Sequence, residues 1–160
     1  MAKNSRSAAV EAEALRQLSC TCFVTRRLAR RITQFYEERL RPSGITIAQF
    51  GVLGALRHWG ALPIGELAER LGLDRTTLSR TLKPLEAQGL VASDAPADAR
   101  RRPVAITAQG RAALRRAAPL WRRAQDEVTR MVGAGPMIAL HGQLDAAYAA
   151  LGASQENQSR

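Results

Sequence analysis

The side chains best suited to hydrogen-bonding a polar ligand lie together in residues 75–83, RTTLSRTLK. Thr76, Ser79, Arg80 and Lys83 recur at i, i+3, i+4 and i+7, so on a helix they share one face. Short hydroxyl side chains can approach base edges in the major groove of DNA, and arginine can bond to guanine acceptors. The pattern predicts that this face contacts DNA, with Arg75 and Thr77 on its flanks. The alternative is an ordinary solvated helix face.

A second basic group lies between two short segments rich in β-branched residues, LVAS and PVAIT. The intervening residues, DAPADARRR, are typical of the turn of a two-stranded hairpin. Arginines at such a tip, beside a helix in the major groove, can enter the minor groove or bind phosphate. We therefore expect DNA contacts from Arg100, Arg101 and Arg102.

The remaining polar residues offer little for catalysis or metal binding. His58 and His141 have no obvious carboxylate partner in the sequence, and two cysteines cannot build a disulfide framework. No nucleophile, base and orienting group form a set. The expected protein is not an enzyme and has no metal site and no cofactor.

The charge balance supports a polyanionic partner. The chain has 160 residues with 24 Lys+Arg against 14 Asp+Glu, a net charge of +10, and basic side chains that neutralise phosphates release counterions. An arginine-rich genome could produce the same bias, so the charge is supporting evidence only. No apolar run approaches the roughly 18 residues that cross a bilayer, and the first residues lack the apolar stretch of a secretory signal. We expect a cytoplasmic protein without membrane contact.

Helical periodicity indicates how these groups are positioned. Asp74 and Thr107 are predicted N-caps, and Pro84 is expected to bend or end the helix that carries it. The short turn before Asp74 and the hairpin after the helix predict a winged helix-turn-helix, a mainly α fold with a small β-hairpin wing. The predicted helices cover about residues 12–40, 47–60, 63–72, 74–90, 108–131 and 137–151.

Three segments resemble the MarR family of bacterial transcription regulators: LAERLGLDRTTLSRTLKPLEAQGLV, the wing residues DARRR, and AITAQG. The family has a Thr/Ser-Arg recognition helix, an Asp-Arg wing and an L-T-x-x-G that opens the next helix. The resemblance covers about residues 15–151. It departs at Ala99, which separates Asp98 from Arg100 where the family has D-R-R, and at Ile106, which replaces Leu. The resemblance implies that Asp98 holds Arg100 as the wing arginine, with Arg101 or Arg102 as alternatives.

The resemblance also implies an obligate homodimer in which the N- and C-terminal helices interlock around a two-fold axis. We therefore expect dimerisation helices at 12–42 and 108–151 and a winged helix-turn-helix DNA-binding part at 46–107, all within a single MarR-like domain, 12–151. Residues 1–11 are expected to be a flexible tail and residues 152–160 a polar tail.

The predicted function is that of a dimeric, sequence-specific regulator that binds a pseudo-palindromic operator in double-stranded DNA. A repressor released by a small aromatic or phenolic ligand is the family's common form. The resemblance places such ligands between the dimer helices and the winged part, which indicates His58, Trp59, Tyr36 and Phe23 as candidate contacts, although core packing is the simpler role. A nonspecific architectural DNA-binding protein is an alternative.

Cys20 and Cys22 support another alternative, a thiol-based, oxidant-sensing repressor of the same fold. On a continuous helix residues i and i+2 point about 160 to 200° apart, so the two thiols could not pair or share a metal without local unwinding. Cys20 lies on an apolar stripe with Val24 and Leu28 and is expected to be buried. Cys22 lies near Arg26 and Arg27, and adjacent cations can make a thiol reactive.

Overall fold

The computed structural model describes residues 20–93 and 103–158, with residues 153–158 described by their backbone alone. The described residues up to Leu120 form one compact unit and those from Trp121 form a second, so the boundary falls within a helix. The described helices are α1 (Thr21–Leu40), α2 (Ile47–Trp59), α3 (Ile64–Arg70), α4 (Arg75–Ala87), α5 (Ala108–Val132) and α6 (Ala134–Gln158). The described strands are β1 (Leu62–Pro63), β2 (Val91–Ser93) and β3 (Pro103–Ile106). The predicted mainly α fold with a small β wing is confirmed.

A tight turn joins α1 to α2. A short 3-10 helix (Arg41–Ser43) ends at Gly44, whose φ of 78° is left-handed and suits glycine. Thr46 then begins α2 with a capping box: its hydroxyl accepts from the Gln49 amide at 3.1 Å, and the Gln49 side chain accepts from the Thr46 amide at 2.9 Å. Glu37 of α1 accepts from the Ile47 amide at 3.0 Å. These bonds satisfy free amides at the start of α2 and tie it to α1.

One apolar core holds the first unit together. It combines residues of α2, α3, α4, the sheet and the first part of α5, as the periodicity predicts. The completely buried side chains among them include Leu53, Leu67, Leu78, Leu85 and Val104. Ala113 and Ala117 bring α5 against this core. The buried side chains of α3 and α4 therefore hold both helices in place by close packing.

The sheet contains one strand more than the predicted hairpin. The order is β1-β3-β2, and β3 pairs antiparallel with both neighbours, through Leu62↔Val104 on one side and Ala92↔Ala105 on the other. Strand β1 has only two residues, too few to show the alternation of apolar and polar residues that predicts a strand. It is recognised as a strand only by its pairing with β3.

The ends of α4 and α6 differ from the sequence prediction. α4 continues past Pro84 to Ala87, since Leu82 and Leu85 hold it to the core while only one backbone hydrogen bond is lost. α6 begins at Ala134, because Pro136 falls in the first turn, where no intrahelical donor is required. It continues to Gln158, so residues assigned to a polar tail are helical in the described part. Within the described residues, no helix combines the length and apolar character needed to cross a membrane.

Candidate nucleic-acid interface

The turn between α3 and α4 is fixed by backbone hydrogen bonds. Gly72 has a left-handed φ of 63°, its amide bonds to the carbonyl of Glu69 at 3.0 Å, and the Leu73 amide bonds to the carbonyl of Ala68 at 2.8 Å. This pair of bonds is a Schellman motif, which ends a helix and turns the chain sharply. It sets the direction in which α4 leaves α3.

Asp74 caps α4, as predicted. Its carboxylate accepts from the Thr77 amide at 2.8 Å through Oδ1 and from the Thr77 hydroxyl at 2.6 Å through Oδ2. The hydroxyl bond and then the amide bond hold the pKa of Asp74 below its usual value. The hydroxyl of Thr77 is thereby engaged in the cap, which leaves it less available for a base contact than sequence spacing alone indicates.

The two faces of α4 separate as the sequence predicts. Leu78, Leu82 and Leu85 are at most 2% exposed and pack into the core. On the opposite side the predicted contact residues are exposed, and together they form the polar face of α4: Thr76, Ser79, Arg80 and Lys83. A rigid helix with a free face of hydroxyl and cationic side chains can enter the major groove of DNA.

Arg75 takes a different position from these four residues. A Cβ built on Gly65 of α3 would lie 2.9 Å from Nη2 of Arg75, so the guanidinium lies against the backbone of the neighbouring helix. Arg75 is exposed. Its side chain therefore extends across α3 from the start of α4, a placement that sequence spacing did not indicate.

The base of the wing is joined to the end of α4. A second Schellman motif, with Gly89 at φ 65° and the Leu90 amide bonded to the Leu85 carbonyl at 2.8 Å, ends α4 and leads into β2. The Ser93 hydroxyl donates to Glu86 of α4 at 3.3 Å. The predicted contact residues of the wing tip lie outside the described residues: Asp98, Arg100, Arg101 and Arg102.

The candidate ligand residues are not gathered into one site within the chain. Phe23 is 62% exposed near the start of α1, whereas Tyr36 is buried thirteen residues further along, about 20 Å by the rise of a helix. Burial raises the pKa of Tyr36. His58 and Trp59 lie at the end of α2 with ring centroids 5.8 Å apart, and the Arg70 guanidinium lies 5.3 Å from the Trp59 centroid. Trp59 is 37% exposed, whereas Tyr36 is buried with its ring edge-on to Phe35 at 5.9 Å between centroids.

A cavity that the sequence did not reveal lies between the end of α1 and the turn that leads into α2. It has a volume of about 680 Å³, and its walls include Gln34, Glu37, Arg41 and Thr46. Both acidic and basic groups line it, and it is open to solvent. Its lining residues belong to α1 and to the turn that follows it, and no sequence motif marks them.

The structure corrects the sequence interpretation of the two cysteines. α1 begins at Thr21, and Cys20 precedes it in an extended conformation with φ −57° and ψ 127°. The continuous helix that would keep the two thiols apart is therefore absent at Cys20. Both cysteines are exposed in the chain, contrary to the expected burial of Cys20, because nothing in the described chain covers this end of α1.

Comparisons with known proteins identify the same kind of scaffold. A model of the MarR family matches residues 43–101. An HTH-type transcriptional regulator of Bacillus cereus is 34% identical over 93 residues, which are 58% of this chain and span 62% of that regulator.

Solved structures match over more of the chain. The transcriptional regulator MosR of M. tuberculosis, solved in complex with DNA, is 45% identical with a TM-score of 0.68; the match covers 81% of this chain and 98% of that one. BpsR of Bordetella bronchiseptica, whose DNA binding is regulated by 6-hydroxynicotinic acid, is 25% identical with a TM-score of 0.72, over 82% and 94% of the two chains.

Proposed function

Because the chain belongs to the MarR family of winged helix transcription regulators, we propose that it binds a specific operator in double-stranded DNA as a homodimer and represses the adjacent genes. The observation that carries this proposal is the polar face of α4. Its hydroxyl and cationic side chains are exposed on a helix that Asp74 caps and three leucines hold to the core. MosR, which shares 45% of its residues with this chain, was solved with DNA.

Exposed apolar side chains support the homodimer. Leu144, Tyr148 and Leu151 recur at i, i+4 and i+7 on α6 and are 43%, 68% and 70% exposed. Phe23 and Val24 are similarly exposed on α1. Apolar stripes of this kind are stabilised by burial against a partner, and a second copy supplies one. In a symmetric dimer, two recognition helices on one face of DNA require half-sites about 10 bp apart.

The experiment is a gel shift with the DNA upstream of the gene for this protein. We expect a shifted complex that survives an excess of random duplex, and a footprint with two related half-sites about one helical turn apart. Equal competition by operator and random duplex would contradict sequence-specific regulation and favour the architectural alternative. A promoter–reporter assay then separates repression from activation.

Release by a small ligand is the regulatory part of the proposal. BpsR provides the precedent of a pyridine carboxylate that controls DNA binding. The open cavity between α1 and the turn that follows it is the candidate site, because it combines Arg41 with apolar and acidic walls. Screening aromatic carboxylates and phenols for loss of the gel shift tests this part, and a releasing compound should lose its effect in Arg41→Ala if the cavity binds it.

A thiol-based mechanism is a second candidate, favoured by the exposure of both cysteines and by the extended backbone of Cys20. Peroxide would convert one thiolate to a sulfenic acid with release of water or hydroxide, and attack by the second thiol would form a disulfide and release water. Peroxide should then release DNA from the wild type but not from Cys22→Ser or Cys20→Ser. Equal release from all three proteins would eliminate this candidate.

A further inference from the structure

We propose that Gly65 is a positioning residue for DNA binding, because its missing side chain lets Arg75 lie across α3 and bind a phosphate of the DNA backbone. This inference rests on the proposed DNA-binding function. It assigns Arg75 to affinity for any DNA and leaves base discrimination to the polar face of α4.

The close approach of the two residues is the first observation. Gly65 is the second residue of α3, and Arg75 is the first residue of α4. A Cβ on Gly65 would lie 2.9 Å from Nη2, 3.3 Å from Cζ and 3.4 Å from Nε of Arg75. A side chain at position 65 would therefore force Nη2 of Arg75 to move and would crowd Cζ.

The direction of the side chain is the second observation. Around the axis of α4, residue 75 lies about a quarter turn from the centre of the row formed by Thr76, Ser79, Arg80 and Lys83, at 100° per residue. The contact with Gly65 holds the guanidinium over the flank of the helix pair. When α4 enters a groove, its polar face meets base edges and its flanks meet the phosphates that border the groove.

The free hydrogen-bonding capacity of Arg75 is the third observation. Among the residues that the structure describes, none forms an ion pair or hydrogen bond with its guanidinium, although the side chain is exposed. Its donors suit the planar, two-pronged recognition of a phosphate. Contact with the Gly65 backbone restricts the guanidinium before DNA arrives, which lowers the entropy lost on binding.

A set of four variants tests the pair: Gly65→Ala, Arg75→Ala, the double variant, and Gly51→Ala as a matched control. Gly51 is an exposed helical glycine in α2, and a Cβ there would meet nothing within 4 Å. The added methyl at position 65 meets only the far end of a long side chain, so the guanidinium can move aside and the fold should be retained. Melting curves and circular dichroism check this for every variant.

Affinities are measured for operator and random duplex across a salt series. One phosphate contact changes the slope of log K against log salt by about 0.9, which corresponds to roughly fivefold in affinity at 0.15 M salt. Arg75→Ala should lose about this factor on both duplexes and show the shallower slope. Gly65→Ala should lose affinity in the same way by a smaller factor, and Gly51→Ala should match the wild type.

The double variant shows whether Gly65→Ala weakens DNA binding by displacing Arg75 or by an unrelated effect. It should bind as Arg75→Ala does, because Gly65 acts only through Arg75. An equal loss from Gly65→Ala with and without Arg75, or no loss from Gly65→Ala, would overturn the inference while the wild type still binds its operator. A loss of discrimination in Arg75→Ala would overturn the phosphate assignment even if Gly65→Ala did not fold. Absence of any wild-type binding would overturn the proposed function as well.

Discussion

Gly110 in the first turn of α5 lies directly against the carbonyl group of Leu90 at the start of the wing. A Cβ built on Gly110 would overlap the Leu90 carbonyl oxygen and come within 2.9 Å of Cγ1 of Ile106. The segment that follows α4, the base of the wing and the beginning of the long helix α5 therefore meet at a contact between two backbones. Glycine is required here by space, since the residue is helical and needs no unusual φ.

Replacing Gly110 should destabilise the protein although alanine favours helix. We expect Gly110→Ala to lower the free energy of unfolding by roughly 1–3 kcal/mol, because backbone atoms cannot move aside as a flexible side chain can. Urea denaturation measures the change. Gly51→Ala, which adds its methyl to open space, should be neutral or stabilising by up to about 1 kcal/mol. Equal effects at the two positions would contradict the proposed backbone contact.

Thr107 joins the same three elements by hydrogen bonds. Its hydroxyl donates to the Gly89 carbonyl at 2.8 Å and accepts from the Gly110 amide at 3.0 Å, the N-cap bond of α5. Thr107→Val keeps the shape but removes both bonds, so we expect a loss of about 0.5–2 kcal/mol in unfolding free energy. Thr107→Ser retains the hydroxyl and should keep most of the unfolding free energy that the valine variant loses. A serine variant as unstable as the valine variant would show that the hydroxyl contributes little.

The Asp74 cap predicts a pH dependence of stability. Its pKa is lowered in the folded protein, first by the Thr77 hydroxyl and then by the Thr77 amide, so the unfolded state binds a proton more readily. The contribution of the Asp74 cap to the free energy of unfolding is present above the unfolded pKa of about 4 and is lost as pH falls through the folded pKa. The wild type should have a higher melting temperature than Asp74→Ala at pH 6, and the difference between the two melting temperatures should narrow below about pH 4. A gap that stays constant down to pH 2 would contradict this assignment.

The sequence predicts α4 well because its signals are local. Asp74 as cap, Leu78, Leu82 and Leu85 as the buried row, and the polar residues opposite follow from a single period of 3.6 residues. The same holds for Thr107 as the cap of α5. Each of these features depends on residues within one or two turns of each other.

The sequence does not predict features that depend on distant partners. β1 exists through its pairing with Val104, and the position of Arg75 depends on the missing side chain of Gly65, ten residues away on another helix. The apolar stripe that includes Cys20 is present in the sequence, but no described segment of the chain covers it. A periodic pattern identifies a face that can be buried and leaves its partner unspecified.

Charge placed on the exposed stripe of α6 should weaken the proposed dimer. Burying side chains such as Leu144 and Tyr148 contributes about 1.5–3 kcal/mol each, whereas a carboxylate buried there would be unpaired. Leu144→Glu/Tyr148→Glu should therefore shift the mass measured by light scattering from twice 17.4 kDa towards 17.4 kDa. Gln143→Glu on the same helix is the control and should remain dimeric. An unchanged dimer in the double variant would place the interface elsewhere.

Arg80 should contribute more to the sequence specificity of DNA binding than to the affinity for DNA in general. It lies within the polar face of α4, exposed and without an ion pair among the described residues, and an arginine on guanine contributes about 1–3 kcal/mol of discrimination. We expect Arg80→Ala to lose that much of the difference in binding free energy between operator and random duplex, measured by fluorescence anisotropy at fixed salt. Arg100→Ala in the wing should weaken both complexes more evenly and flatten the salt dependence. If Arg80→Ala keeps full discrimination, the polar face of α4 does not read the operator bases through Arg80.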